Sequence, residues 1–335
     1  MPPQYSVIVP VYNRPTEVGE LLESLSQQTY TDFETILVED GSTIPCEEVA
    51  QGFADRLRIR YFAKPNSGRS LTRNYGMERA EGHYFVFFDS DCILPPDYFQ
   101  VLTEALADSP ADCHGGPDRA HPSFTPLQKA INYAMTSFLT TGGIRGRKRG
   151  LERFNPRTFN MGFSRQVYES VGGFRGSFGE DIDMSTRIHN AGFTVHLIPE
   201  AFVYHKRRLS WRSFFWQVYV FGMTRVELHR LHPDSLKLVH LLPVCFLIGL
   251  LGMIVTAVVW NLWALCPFGL YALALLLDAW IANRSLLVAF LSVIAAFIQL
   301  TGYGAGFLSA FFRRFLLRQV IDAQKEFGKR YEKRK

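Results

Sequence analysis

Cysteine is scarce in this sequence, with five in 335 residues: Cys46, Cys92, Cys113, Cys245 and Cys266. They show no paired metal spacing and leave an odd one over, so neither a zinc site nor a disulfide framework is indicated; a reducing compartment suits them. No basic leader opens the chain, and its first apolar run is interrupted by Pro10. Residues 1–15 therefore do not read as a secretory signal, and the polar part of the chain is expected to stay in the cytoplasm. No internal repeat or low-complexity tract is evident. Asp, Glu and Lys are scarce between residues 238 and 312, an imbalance that points away from a single soluble domain. At this length the chain has room for one substantial domain and something more.

The charge-poor region contains three apolar blocks, residues 241–260, 262–281 and 286–312. Each is near or above the roughly 20 residues that a spanning helix needs. Three such blocks in succession read as membrane helices rather than buried soluble ones. With the polar part inside, three full crossings put the basic tail outside, against the positive-inside tendency. Gly302, Gly304 and Gly306 in the third block offer a resolution, a re-entrant or broken helix. Asp278 sits near the end of the second block, either at the interface or as a functional intramembrane acid. From residue 313 onward basic residues outnumber acids; a basic tail abutting an apolar block suits anionic lipid better than nucleic acid. Residues 209–225 mix Trp211, Phe214, Phe215, Trp216, Tyr219 and Phe221 with Arg212 and Arg225. They predict either an interfacial helix or one packed on the polar domain.

Residues 5–205 alternate short β-rich runs with amphipathic helical stretches, the pattern of an α/β fold. Strands are predicted at 6–11, 33–38, 57–62 and 84–88. A helix after Pro15 aligns Val18, Leu21, Leu22 and Leu25 on one face, and another follows Gly68. Ligands of such sheets bind beyond the carboxyl ends of the strands. Tyr12-Asn13 follows the first strand, Glu39-Asp40-Gly41-Ser42 the second, and Asp89-Ser90-Asp91 the fourth. Asp89 and Asp91, one residue apart on an extended chain, place two carboxylates on one side. Hard oxygen donors of this kind suit Mg²⁺ or Mn²⁺, which would neutralise a diphosphate leaving group. The Gly- and Arg-rich stretch 142–150 reads as a loop, either a plain linker or a lid.

Taken in order, Pro10-Val11-Tyr12-Asn13, Glu39-Asp40-Gly41-Ser42, Asn66 to Asn74, Asp89-Ser90-Asp91, Phe159 to Arg165, Gly172-Gly173-Phe174 and Gly179 to Asp183 resemble the family 2 glycosyltransferases of GT-A fold. The resemblance covers about the first two hundred residues. It implies an α/β nucleotide-sugar-binding domain over 1–208; beyond it, composition divides the chain into an interfacial region over 209–237, membrane-embedded helices over 238–312 and a basic cytoplasmic tail over 313–335. It implies a donor site made by Pro10, Tyr12, Asn13, Asp40, Asn66, Gly68, Arg73, Asp89 and Ser90, with Asp40 on the base or ribose. A metal, Mg²⁺ or Mn²⁺, would be held by Asp89, Asp91 and His205, and the acceptor side would include Asn160 and Glu180. Asp181 would be the general base that takes the acceptor hydroxyl proton during inverting transfer. Taken alone, Glu180 and Asp181 could equally be acids favoured in a first helical turn. The family's processive synthases carry Gln-x-x-Arg-Trp; here Gln217-Val218-Tyr219-Val220-Phe221 stands instead, which implies single addition. The activity so implied is transfer from a nucleoside-diphosphate sugar, a UDP-sugar foremost, to a hydroxyl of a lipid-linked or envelope glycan. The implied setting is a multi-pass protein of the inner or plasma membrane with its catalytic domain cytoplasmic. Three rivals stay open: a polyprenyl-phosphate glycosyltransferase, a scaffold that binds nucleotide sugar without turnover, and a transporter.

Overall fold

The computed structural model describes residues 1–142, 154–176 and 179–317. They fall into two compact units. Met1–His121 with residues 154–206 form the first; residues 122–142 with 207–317 form the second.

The first unit is built on a seven-stranded mixed sheet. Its strands are β1 (Tyr5–Val11), β2 (Phe33–Asp40), β3 (Ile59–Lys64), β4 (Tyr84–Phe87), β6 (Cys113–Gly115), β8 (Met161–Ser164) and β9 (Val195–Leu197). The order is β3-β2-β1-β4-β8-β6-β9. β3, β2, β1 and β4 run parallel, and β8 is antiparallel to both β4 and β6. Alternation along β1 explains the two layers it separates. Val7, Val9 and Val11 pack on one side with Leu21, Leu22 and Leu25 of helix Pro15–Ser26. Ile8 faces the other side with Val38, Met77, Phe85 and Phe87. Gly76 lets helix Arg69–Arg79 come down onto that face, since a Cβ there would lie 2.6 Å from the Ile8 side chain. A small second sheet joins β5 (Cys92–Ile93), β10 (Val203–His205) and β7 (Asp118–Arg119) in the order β5-β10-β7.

The second unit is helical. Helix Pro126–Thr136 begins at a reciprocal Thr125/Gln128 capping box, and Ile131, Ala134 and Met135 pack with Phe214, Val218 and Ala295. Three segments are long and apolar enough to cross a membrane: Leu238–Val259, Leu262–Asn283 and Leu286–Leu316. The expected break at the third block's glycines does not occur. Helix Leu286–Phe311 runs on through them. A Cβ on Gly306 would lie 1.9 Å from the Tyr219 carbonyl oxygen, and one on Gly222 would lie 2.1 Å from that of Tyr303. The glycines serve close approach of two helix backbones, as small residues do between membrane helices. Helix Trp211–Leu231 therefore packs along Leu286–Phe311 within its own unit, which neither sequence expectation for residues 209–225 anticipated. Asp278 is paired: it accepts hydrogen bonds from Tyr133 Oη at 2.6 Å and Ser137 Oγ at 3.3 Å. Most of the Gly- and Arg-rich stretch, and the basic tail beyond Leu317, lie outside the described residues.

Candidate active site

The loops after β1, β2 and β4 meet at the carboxyl edge of the parallel strands, where such sheets place ligands. Asn13 takes a positive φ of 53°. Its N–H donates to Ser42 Oγ at 2.8 Å, and its Oδ1 accepts from the Thr43 and Ile44 N–H groups at 2.8 and 2.9 Å. Asn13 thus joins the ends of β1 and β2 and shapes the edge through the backbone. Asp40 is similarly engaged. Its carboxylate accepts the N–H groups of Ser67 and Gly68, both at 2.9 Å, and pairs with Lys64, while its carbonyl accepts Asn66 Nδ2 at 2.8 Å. Asp40 therefore anchors the loop containing Asn66 and Gly68. Tyr12 is exposed at this edge, Pro10 is half-buried and Ser90 is buried.

Asp89 and Asp91 flank His205. Its Nε2 lies 3.2 Å from Asp91 Oδ1 and 4.0 Å from Asp89 Oδ2. Pairing of β10 with β5 sets His205 opposite Cys92, and the ring stacks on Phe159 at 4.9 Å. Among the described residues His205 Nδ1 has no hydrogen-bond partner, although it is buried. Asp91 and His205 lie close enough to share a divalent ion such as Mn²⁺, with Asp89 farther out at 4.0 Å from the same ring nitrogen. Cys92 Sγ is also within reach of Asp91 and His205. It suits the role less well, because burial and the charges of Asp91 and Asp89 push its thiol pKa well up. Arg14, which the motifs did not single out, donates to Asp91 Oδ2 at 2.9 Å.

A buried ion network links this cluster to the helix that carries the expected base. Arg73, 1% exposed at its side chain, reaches Asp89 at 2.8 Å with one terminal nitrogen and Glu180 at 3.1 Å with the other. Arg69 meets the same Glu180 carboxylate at 2.8 and 3.0 Å. Glu180 is thus enclosed between two guanidinium groups rather than open to an acceptor. Asp181 follows at the start of helix Glu180–Asn190. Its Oδ1 accepts the Ile182 N–H at 2.8 Å, Oδ2 pairs with Arg157 at 3.2 Å, and 19% of the side chain stays exposed. Burial pushes its pKa up, but the charges of Arg157 and Arg69, with the Ile182 bond, outweigh that and hold it below the ordinary carboxylate value. Asn160 stands apart. It is fully buried, accepts from Tyr98 Oη at 2.6 Å and donates to the Ala201 carbonyl at 2.8 Å, so it braces the sheet instead of facing an acceptor. Arg69 was legible as the i−4 neighbour of Arg73; Arg157 had no local signal.

A mixed sheet with acids at its parallel strand ends and an acid-x-acid turn beside a histidine is the architecture of a GT-A-like nucleotide-sugar-binding domain. Structural comparison agrees: a mannosyltransferase of Pyrobaculum calidifontis, solved in complex with GDP-Man and Mn²⁺, matches 94% of this chain and 88% of its own at a TM-score of 0.60 and 17% identity. Residues 6–172 form a domain of the family described as Glycosyl transferase family 2. An uncharacterized glycosyltransferase of Bacillus subtilis, EpsJ, is 40% identical over 116 residues, which are 34% of each chain. The succinoglycan biosynthesis protein ExoA of Rhizobium meliloti is 24% identical over 309 residues, 90% of this chain and 93% of that one. This chain spans between 16% and 34% of the length of the first three curated relatives it matches.

Proposed function

We propose that the protein transfers a sugar, with inversion, from a nucleoside-diphosphate sugar, a UDP-sugar foremost, to a hydroxyl of a lipid-linked or envelope glycan at the cytoplasmic face of a membrane. The observation that carries this reading is the continuous path Asp91–His205–Asp89–Arg73–Glu180, which ends beside Asp181. It couples the group suited to a metal diphosphate to the group suited to a proton. Asp89, Asp91 and His205 would hold Mg²⁺ or Mn²⁺, which when bound neutralises charge on the departing diphosphate. Tyr12 offers a face for the base, and the Asn66–Gly68 loop, fixed by Asp40, offers backbone to the donor. Asp181, ionised at neutral pH, accepts the proton of the attacking hydroxyl. The breadth of the match to a succinoglycan biosynthesis protein supports an envelope glycan as the acceptor, and the three apolar helices support a membrane setting.

One observation favours a second acceptor class. Arg157 and Arg69 make Asp181 a weaker base than an ordinary carboxylate. A polyprenyl phosphate is already ionised and has little need of a base. The deciding experiment assays membranes containing the protein against UDP-, GDP- and dTDP-sugars with lipid extract and Mn²⁺ or Mg²⁺, beside Asp91→Ala and Asp181→Asn. Glycolipid formation lost in both variants supports the hydroxyl acceptor, and formation lost only in Asp91→Ala supports the phosphate. Donor binding with no product from any extract would overturn catalysis in favour of a scaffold.

A further inference from the structure

Helix Trp211–Leu231 carries Arg225, which is only 9% exposed. Its guanidinium has no hydrogen bond or ion pair among the described residues, whereas Arg69, Arg73, Arg157 and Arg187 all meet carboxylates. Among the described residues, three polar atoms of the same stretch are fully buried without partners: Thr224 Oγ1, Glu227 Oε1 and His229 Nδ1. Arg225 lies three residues after Gly222 and four before His229, so all three share one side of the helix. That side meets helix Leu286–Phe311, since Gly222 abuts the backbone of Tyr303 and Phe307. Met223, Val226 and Leu228 around it are buried and apolar.

A guanidinium does not shed its proton, so an enclosed one needs an anion. Arginine in an apolar, membrane-embedded setting is costly and is kept where something pairs with it. Its planar fork matches phosphate oxygens bidentately. We propose that Arg225, with His229 as a neighbouring donor, forms a binding site for the phosphate group of a lipid. The inference rests on reading the second unit as membrane-embedded. Two sources share this chemistry, the headgroup of a phospholipid and the phosphate of a polyprenyl-linked acceptor.

The test uses the full chain in phosphate-free detergent with no nucleotide sugar, so its outcome does not depend on catalysis. Binding of farnesyl phosphate and of dioctanoyl phosphatidate is measured for the native protein and for Arg225→Lys, Arg225→Gln and Arg225→Met. The native chain is expected to bind at least one of them, with Kd raised ~10-fold or more by Gln or Met and less by Lys. Arg225→Met is expected to melt no lower than the native protein without lipid, because it removes an unpaired buried charge, and to lose the rise in melting temperature that the lipid gives. Preference for farnesyl phosphate assigns the site to the acceptor, and preference for phosphatidate assigns it to the bilayer. Affinities unchanged by Arg225→Gln, or a melting temperature lowered by Arg225→Met in a protein that responds to neither lipid, would overturn the proposal.

Discussion

Replacing Glu180 with Gln keeps the side chain's shape and removes its charge. Arg73 then loses one of its two anions and keeps only Asp89, which is 34% exposed at its side chain. Removing one partner of a buried ion pair costs about 3–5 kcal/mol. Because Asp89 remains, the loss should fall at the lower end, about 3 kcal/mol. Arg69 adds little, since its side chain is 46% exposed and a pair of that kind contributes about 1 kcal/mol at most. For a unit of this size each kcal/mol moves the melting temperature by about 2–4 °C, so Glu180→Gln should melt about 6–12 °C lower. Thermal unfolding in detergent, followed by near-ultraviolet circular dichroism, reads this directly. Arg69→Met, measured beside it, should shift the transition by less than about 4 °C. Metal-dependent nucleotide binding should weaken in Glu180→Gln as well, because Arg73 orients Asp89. A melting temperature within about 2 °C of the native value would mean that Asp89 alone neutralises Arg73 and that the link to the base helix is incidental.

Burial holds the pKa of His114 down at about 3 against an ordinary 6.5, so the folded protein keeps the ring neutral while the unfolded chain protonates. The unfolded state binds the extra proton below about 6.5, so stability falls with pH from there until the folded pKa is reached; by pH 4.5 the loss is about 2–3 kcal/mol, and His114→Gln should remove that slope in urea unfolding. Asp181 has the opposite sign: its depressed pKa contributes stability above the unfolded value, which is lost as pH falls through the folded one. Arg157→Gln should raise that pKa and move the acidic limb of kcat/KM to higher pH, readable in rate profiles; an unmoved limb would detach Asp181 from it. Gly306→Ala should destabilise by about 1–3 kcal/mol, because its Cβ would strike the Tyr219 backbone. Gly252→Ala, with nothing within 4 Å of its Cβ, should be neutral or stabilising by up to about 1 kcal/mol, read as melting in the same detergent.

The parallel half of the sheet was legible because buried strands and amphipathic helices announce themselves by local period. Helix Pro15–Ser26 buries Val18, Leu21, Leu22 and Leu25, the residues its spacing named. The third strand lies at Ile59–Lys64, two residues later than its apolar run implied, because register with β2 fixes it. His205, remote in sequence, is set 3.2 Å from Asp91 and 4.0 Å from Asp89 by the pairing of β10 with β5. Side-chain roles were harder to read. Asn160 sits in a family motif, but its amide is used up inside the fold by Tyr98 and Ala201. Glycines 302 and 306 carry a helix-breaking propensity worth about 1 kcal/mol each, which close backbone packing overrides. The partners of Arg14 and Arg157 are long-range, and no local pattern encodes them.

The assignment of residues 122–142 to the helical unit bears on how the chain is made. Helix Pro126–Thr136 is synthesised early, but Ala295, against which its apolar stripe packs, emerges much later. At ~5–20 residues per second the stripe waits on the order of ten seconds or more for its partner. Over that interval Ile131, Ala134 and Met135 lack the later helix that covers them in the finished fold. Insertion of the apolar helices while the ribosome is still at the membrane would shorten that exposure. Cutting the chain after Lys206 would make it permanent. The released fragment would keep the sheet and its acids but carry an uncovered apolar helix between β7 and β8, and should aggregate rather than behave as a free soluble enzyme.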